Sequence, residues 1–173
     1  MNNRTSFLSR LLPLAICAAF VGVGQSAFGQ ASATANASAT IVPSITITKT
    51  SDLKFGLIVA GPGGTVSISP DSSRTVNGPA GLTNASFPVS AASFTVSGLA
   101  NLTYSISLPT STTLTGPSSS SMTVNAFVSN PASVGTIDSG GTATLNVGAT
   151  LTVGAAQTPG AYTGTFTVTV NYQ

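Results

Sequence analysis

Residues 160–173 read Gly-Ala-Tyr-Thr-Gly-Thr-Phe-Thr-Val-Thr-Val-Asn-Tyr-Gln, and this stretch decides the fold class. Tyr162, Gly164, Phe166, Val168, Val170 and Tyr172 fall on one side of an extended chain; Thr163, Thr165, Thr167, Thr169 and Asn171 fall on the other. Alternation with period two belongs to a strand with one face in the core and one in polar surroundings. β-branched Thr suits such a face.

The same pattern recurs upstream. Ala143, Leu145, Val147, Ala149, Leu151 and Val153 are in phase, with Gly148 where a strand can bend or bulge. Shorter runs are Leu102, Tyr104, Ile106, Leu108; Met122, Val124, Ala126, Val128; Phe94 with Val96; Phe87 with Val89; and Val66 with Ile68. Gly and Pro clusters separate them, among them Gly61 to Gly64, Asn77 to Gly81, Asn130-Pro131 and Pro159-Gly160. Gly supplies positive φ and Pro fixes φ, so each cluster is a turn. The Ser118 to Ser121 run reads as a flexible loop. In residues 30–173 no apolar i, i+3, i+4 pattern is long enough for a helix. The spacing predicts an all-β, antiparallel sandwich or barrel of about 7–10 strands.

The 173 residues carry a formal charge of +2, but Arg4 and Arg10 precede an apolar run, Leu11 to Val23, that ends in small residues. That is the layout of a secretory signal over residues 1–29, with cleavage after Gly29 or Ala31. Thirteen residues in a helix span roughly 20 Å, short of a bilayer core, so no membrane segment is expected after cleavage. The lone Cys17 falls inside this run, which leaves the exported domain without a disulfide. Residues 30–173 carry Lys49, Lys54 and Arg74 against Asp52, Asp71 and Asp138. A neutral chain cannot hold a polyanion, which excludes nucleic acid as a main partner.

His and Glu are absent, so the usual acid and base catalysts are missing and no enzyme, cofactor or metal site is expected. Ser51-Asp52-Leu53-Lys54 matches an S-x-x-K pattern, but among β-branched residues rather than on a helix. Calcium wants several carboxylates, and the three Asp lie far apart in sequence. Asn36, Asn84 and Asn101 begin N-x-S/T triplets, which the 22 Ser and 25 Thr of residues 30–173 generate by chance. Phe127 is out of phase with Met122, Val124, Ala126 and Val128, which makes it the candidate exposed aromatic for ligand contact.

Residues 30–42 form an N-terminal extension ahead of a domain at 43–173. Ala33, Ala35, Ala37, Ala39 and Ile41 share one face in strict alternation, and Pro43 then interrupts any ladder because it has no N–H. This segment is either a first strand of its own domain or a donor strand for another.

Tyr172 is penultimate, Gly160 is fourteenth from the end, and the residues between alternate; this resembles the terminal pattern of chaperone-usher pilus subunits. Residues 40–173 also resemble a bacterial family of exported immunoglobulin-like domains of unknown function related to spore coat U proteins. The matching elements are Leu53-Lys54-Phe55-Gly56, Phe94-Thr95-Val96-Ser97-Gly98, Tyr104-Ser105-Ile106, Val147-Gly148-Ala149-Thr150-Leu151 and Gly160-Ala161-Tyr162-Thr163-Gly164-Thr165. The resemblance implies an immunoglobulin-like, pilin-like β-sandwich that serves as a subunit of a surface filament, fimbria or coat. Its implied partners are like or homologous subunits, with a periplasmic chaperone and an outer-membrane usher, and its route runs through the periplasm to the cell surface. In that family the final strand flanks a groove that a neighbour's N-terminal donor strand fills. The alternative is a monomeric, self-complemented, secreted binding module for glycans or adhesion.

Overall fold

The computed structural model describes residues 29–59, 61–78, 81–82 and 87–173. Residues 1–28, and with them nearly all of the expected signal, lie outside the described residues. The chain divides into two units, Met1–Ala39 and Thr40–Gln173. In the first, residues 29–39 are exposed and carry neither helix nor strand.

The second unit is all-β and antiparallel, with no α-helix among the described residues. Its strands are β1 (Thr46–Ser51), β2 (Lys54–Phe55), β3 (Ile58–Val59), β4 (Gly64–Ile68), β5 (Arg74–Asn77), β6 (Gly81–Leu82) and β7 (Val89–Ser90). They continue with β8 (Ala92–Ser97), β9 (Thr103–Ser107), β10 (Ser111–Thr115), β11 (Ser121–Asn130), β12 (Val134–Thr136), β13 (Thr142–Val153) and β14 (Thr169–Tyr172). The number exceeds the expected range because residues 54–90 break into two-residue pieces, β2 with β7 and β3 with β6, around the β4–β5 hairpin.

The larger sheet runs β1-β8-β13-β11-β10, and β4 also pairs with β13. Strand β13 is long enough for two successive partners on one side: Thr142–Val147 lie along β8, and Ala149–Val153 along β4. Gly148 stands at the handover, where a Cβ would drive into the Ile68 carbonyl. The smaller sheet is β12-β9-β14. Polar residues line the outer face of the larger sheet in register. One row is Asn77, Thr65, Thr152, Thr123 and Thr113; the next is Thr75, Ser67, Thr150, Asn125 and Ser111. Within the second row Ser67 and Thr150 hydroxyls hydrogen-bond at 2.8 Å. Hydroxyls, rather than charges, thus wet this face.

Inward residues form two clusters. Ala92, Val96, Tyr104, Leu145, Val147 and Val170 join the two sheets face to face, with sheets about 10 Å apart as in any sandwich. Phe55, Val66, Ile68, Val124, Leu151 and Val153 form the second cluster, under the short ribbons. Tyr104 is fully buried on the face of Gly135, whose missing side chain makes room for the ring.

Candidate functional site: an open sheet edge

Chain connectivity places the last run of residues between the sheets. The chain leaves the smaller sheet after β9, passes Leu108–Thr110, and enters the larger sheet as β10. Residues 163–172 retrace that path in the opposite direction. Thr163 bridges Thr115, with N–H···O bonds of 2.8 and 3.0 Å, and the Thr112 hydroxyl donates to the Thr165 carbonyl at 2.7 Å. From Thr169 the run pairs with β9. Between these anchors residues 164–168 join no ladder.

The inward side chains of this run are pinned at both ends. Tyr162 lies over Gly116, where a Cβ would clash with its ring. Its hydroxyl donates to the Thr158 carbonyl at 2.7 Å, accepts Nε2 of Gln157 at 2.8 Å and lies 2.7 Å from Oγ of Ser120. A tyrosine bonded back to the backbone a few residues upstream is the tyrosine corner that opens strand F of an immunoglobulin sandwich. Gly160, at φ +145, packs its backbone on Pro117. The Ser118–Ser121 run is therefore part of a built turn, with a 3-10 segment at Pro117–Ser119, and not the expected loose loop. Phe166 meets Phe94 edge-on at 6.4 Å, and Val168 and Val170 are buried. At the far end the Tyr172 hydroxyl accepts the Leu99 N–H at 2.7 Å and donates to the Pro43 carbonyl at 3.2 Å.

Mapped onto the seven-stranded immunoglobulin order, ABED facing CFG, β1, β8, β13 and β11 take the places of A, B, E and D, while β9 and β14 take C and F. Among the described residues no strand occupies the place of G. The outer edges of β1 and of the last run therefore both lack a strand partner. Between them opens a cleft of about 390 Å³, walled by Lys49–Leu53 on one side and Tyr162–Phe166 on the other. Its floor is apolar, from Ala92, Phe94, Leu114 and Val124. A bulge between Lys49 and Ser51 and a Lys49–Asp52 ion pair of 2.6 Å mark the β1 rim. Such features blunt an edge against indiscriminate pairing. A second hollow of about 740 Å³ adjoins the first through Leu114 and Tyr162, with Phe87 on its wall, 58% exposed.

Polar residues flagged as chemical candidates have structural partners. Asp71 accepts from the Ser69 and Ser73 hydroxyls and the Ser73 N–H; Asp138 accepts from the Gly140 and Thr142 N–H groups. These bonds hold both carboxyls below their ordinary range, and the hydrogen bond and charge of Lys49 do the same for Asp52. Ser51 donates to the Ala91 carbonyl and lies on a strand, so the S-x-x-K spacing does not set it beside Lys54 on a helix face. Arg74 donates to the Phe55 and Leu57 carbonyls. No group of three metal-ligating acids, cysteines or histidines occurs among the described residues.

A family model described as a domain of unknown function, DUF4402, matches residues 45–172. The chain belongs to the DUF4402 family. No curated protein and no solved structure matches it. The DUF4402 match runs from the residue before β1 through the end of β14.

One expectation about the DUF4402 domain is corrected. Phe127 is not an exposed aromatic: it is half-buried, packs on both clusters and lies 5.0 Å from the Phe166 ring. The cause is a bulge in β11, where pairing with β13 skips from Asn125 to Val128 and Ala126 takes φ +48. The extra residue reverses the phase, so Phe127 turns in and Val128 turns out, 49% exposed. Ala33, Ala35, Ala37 and Ala39 are exposed, and Ile41 is 96% exposed. Residues 40–45 carry no strand, so β1 begins only after Pro43. What the sequence reading missed is the cleft and the Tyr172 contact with Pro43. Both join residues more than a hundred positions apart, and the penultimate Tyr172 was the one local signal.

Proposed function

We propose that this DUF4402 chain is an exported structural subunit of a surface filament, fimbria or coat, assembled by β-strand complementation between like or homologous subunits. The observation that carries the reading is the pair of unpartnered edges, β1 and residues 164–168, facing each other across a cleft with an apolar floor. An incoming strand there gains main-chain hydrogen bonds on its flanks and buries alternate side chains on the floor. Residues 30–42 are the donor. They carry no charge, alternate strictly, and stand exposed without a ladder of their own. Each Ala methyl contributes on the order of 0.8 kcal/mol on burial against about 1.5–3 for Ile41, so backbone pairing supplies most of the affinity and Ile41 the anchor. Residues 1–29 direct export, and the resemblance to pilus and spore coat U subunits supports delivery by a periplasmic chaperone and an outer-membrane usher. Activity is non-enzymatic, in keeping with the three carboxyls being engaged in turns and an ion pair. Deleting residues 30–42 is expected to leave a folded domain and abolish polymers seen by electron microscopy; a deletion variant that polymerises normally overturns the reading.

A second reading, a monomeric secreted binding module, draws on the 740 Å³ hollow beside exposed Phe87. Loss of glycan retention on Phe87→Ala in a monomeric protein would favour it.

A further inference from the structure

We infer that the Tyr172 hydroxyl clamps the root of the N-terminal extension and thereby commits it to a second copy instead of its own cleft; this rests on the strand-complementation reading above. Strand β1 and the last run are antiparallel across the cleft, since Pro43 meets Tyr172 at one end while Lys49–Leu53 face Tyr162–Phe166 at the other. For the extension to fill its own cleft, the chain must reverse near Pro43 and run back beside the last run. Counting from the Pro43–Tyr172 contact, that reversal would bring Ala33 alongside Tyr162.

Residues 40–45 contain no turn and no bend. Two local restraints favour that course. The ring of Pro43 locks its φ, and a residue preceding proline is held in the extended region, so Val42 cannot supply the turn. At Pro43 itself the remaining freedom is ψ, which swings the Pro43 carbonyl. That carbonyl is the group the Tyr172 hydroxyl holds at 3.2 Å, while the same hydroxyl is fixed by the Leu99 N–H at 2.7 Å. Gly98 makes the arrangement possible, because a Cβ at that position would collide with the hydroxyl. Tyr172 is thus a positioning residue, fastened to the domain by one hydrogen bond and to the extension root by the other.

The test uses the chain from Gln30 onward, which has no cysteine, carrying Ser32→Cys and Ala161→Cys, the positions that the same count sets side by side on the outward face. Cα atoms must come within roughly 7 Å for a disulfide, so an intrachain bond reports the folded-back extension. With Tyr172 in place the intrachain yield is expected to be low and the mass by light scattering multimeric. Tyr172→Phe, which keeps the ring and removes only the hydroxyl, is expected to raise the intrachain yield several-fold and to deplete multimers correspondingly. Equal disulfide yields in the two backgrounds overturn the clamp, even where multimers persist and the strand-complementation reading stands. Monomers in the Tyr172 background overturn that reading, and the disulfide comparison then still judges the clamp. Should Tyr172→Phe not fold, Pro43→Gly, which frees φ and leaves Tyr172 untouched, carries the same expectation and the same overturning result.

Discussion

The Phe127 and Phe166 rings lie 5.0 Å apart at 42°, which couples a bulge in the larger sheet to the last run of the chain. Phe166 in turn stands edge-on to Phe94, so three aromatic rings tie β8, β11 and residues 164–168 together beneath the open cleft. The unpartnered edge is therefore held on its inner side by side-chain packing, while its outer side stays available.

Phe127→Ala is accordingly expected to act on stability. Removing a half-buried aromatic from two clusters costs about 2–4 kcal/mol, read as a lower midpoint in a urea titration. A variant with wild-type stability that loses glycan binding would restore the exposed-contact role and contradict the bulge.

Gly148→Ala places a methyl against the Ile68 backbone at the point where β13 changes partners. Backbone cannot yield as a flexible side chain can, so a loss of more than about 2 kcal/mol is expected. A melting temperature within a degree of wild type contradicts the crowding.

The strand at 142–153 was legible in sequence because it keeps strict alternation along its ladder with a single bend, whereas 160–173 keeps its inward face but is a strand only at Thr169–Tyr172. The Gly148 bend was visible for the same reason: only glycine suits so close an approach. The phase of 121–130 was not legible, because Ala126 is a non-glycine residue at positive φ and its neighbours Phe127 and Val128 are both apolar. No hydrophobic pattern distinguishes the two phases there. The candidate edge was half legible. Tyr162, Phe166, Val168, Val170 and Tyr172 share the inward face as expected. The opposing wall, Lys49–Leu53, comes from a segment whose pairing nothing local announces.

Tyr104→Phe is expected to raise stability by about 1 kcal/mol. The Tyr104 hydroxyl is fully buried and finds no protein hydrogen-bond partner, so its desolvation is uncompensated. Burial also pushes its ionisation above the ordinary phenol value of 10.0. The unfolded chain ionises first, so stability from this group is intact below pH 10 and falls as pH rises beyond it. A destabilised Tyr104→Phe variant would show that the hydroxyl is in fact satisfied.

Acid stability follows from the carboxyls of Asp52, Asp71 and Asp138, all lowered from 3.8 by hydrogen bonds or Lys49. A lowered folded value means that their contribution is complete above the unfolded value and is lost as pH falls through the folded one. The melting temperature should be flat from neutral pH to about pH 5 and decline below about pH 4. Asp138→Asn and Asp71→Asn should each flatten that decline. A steeper decline in either variant contradicts the assignment.

Strand complementation at this edge is tested most directly by amide hydrogen exchange at Gly164 and Phe166. Thr163 directs its backbone groups to Thr115, so by strand alternation the amides of 164 and 166 face outward. In the assembled protein these two amides are expected to exchange at least about tenfold more slowly than in the variant lacking residues 30–42, as new ladder bonds require. Equal exchange at Gly164 and Phe166 in both forms would contradict strand addition at the last run.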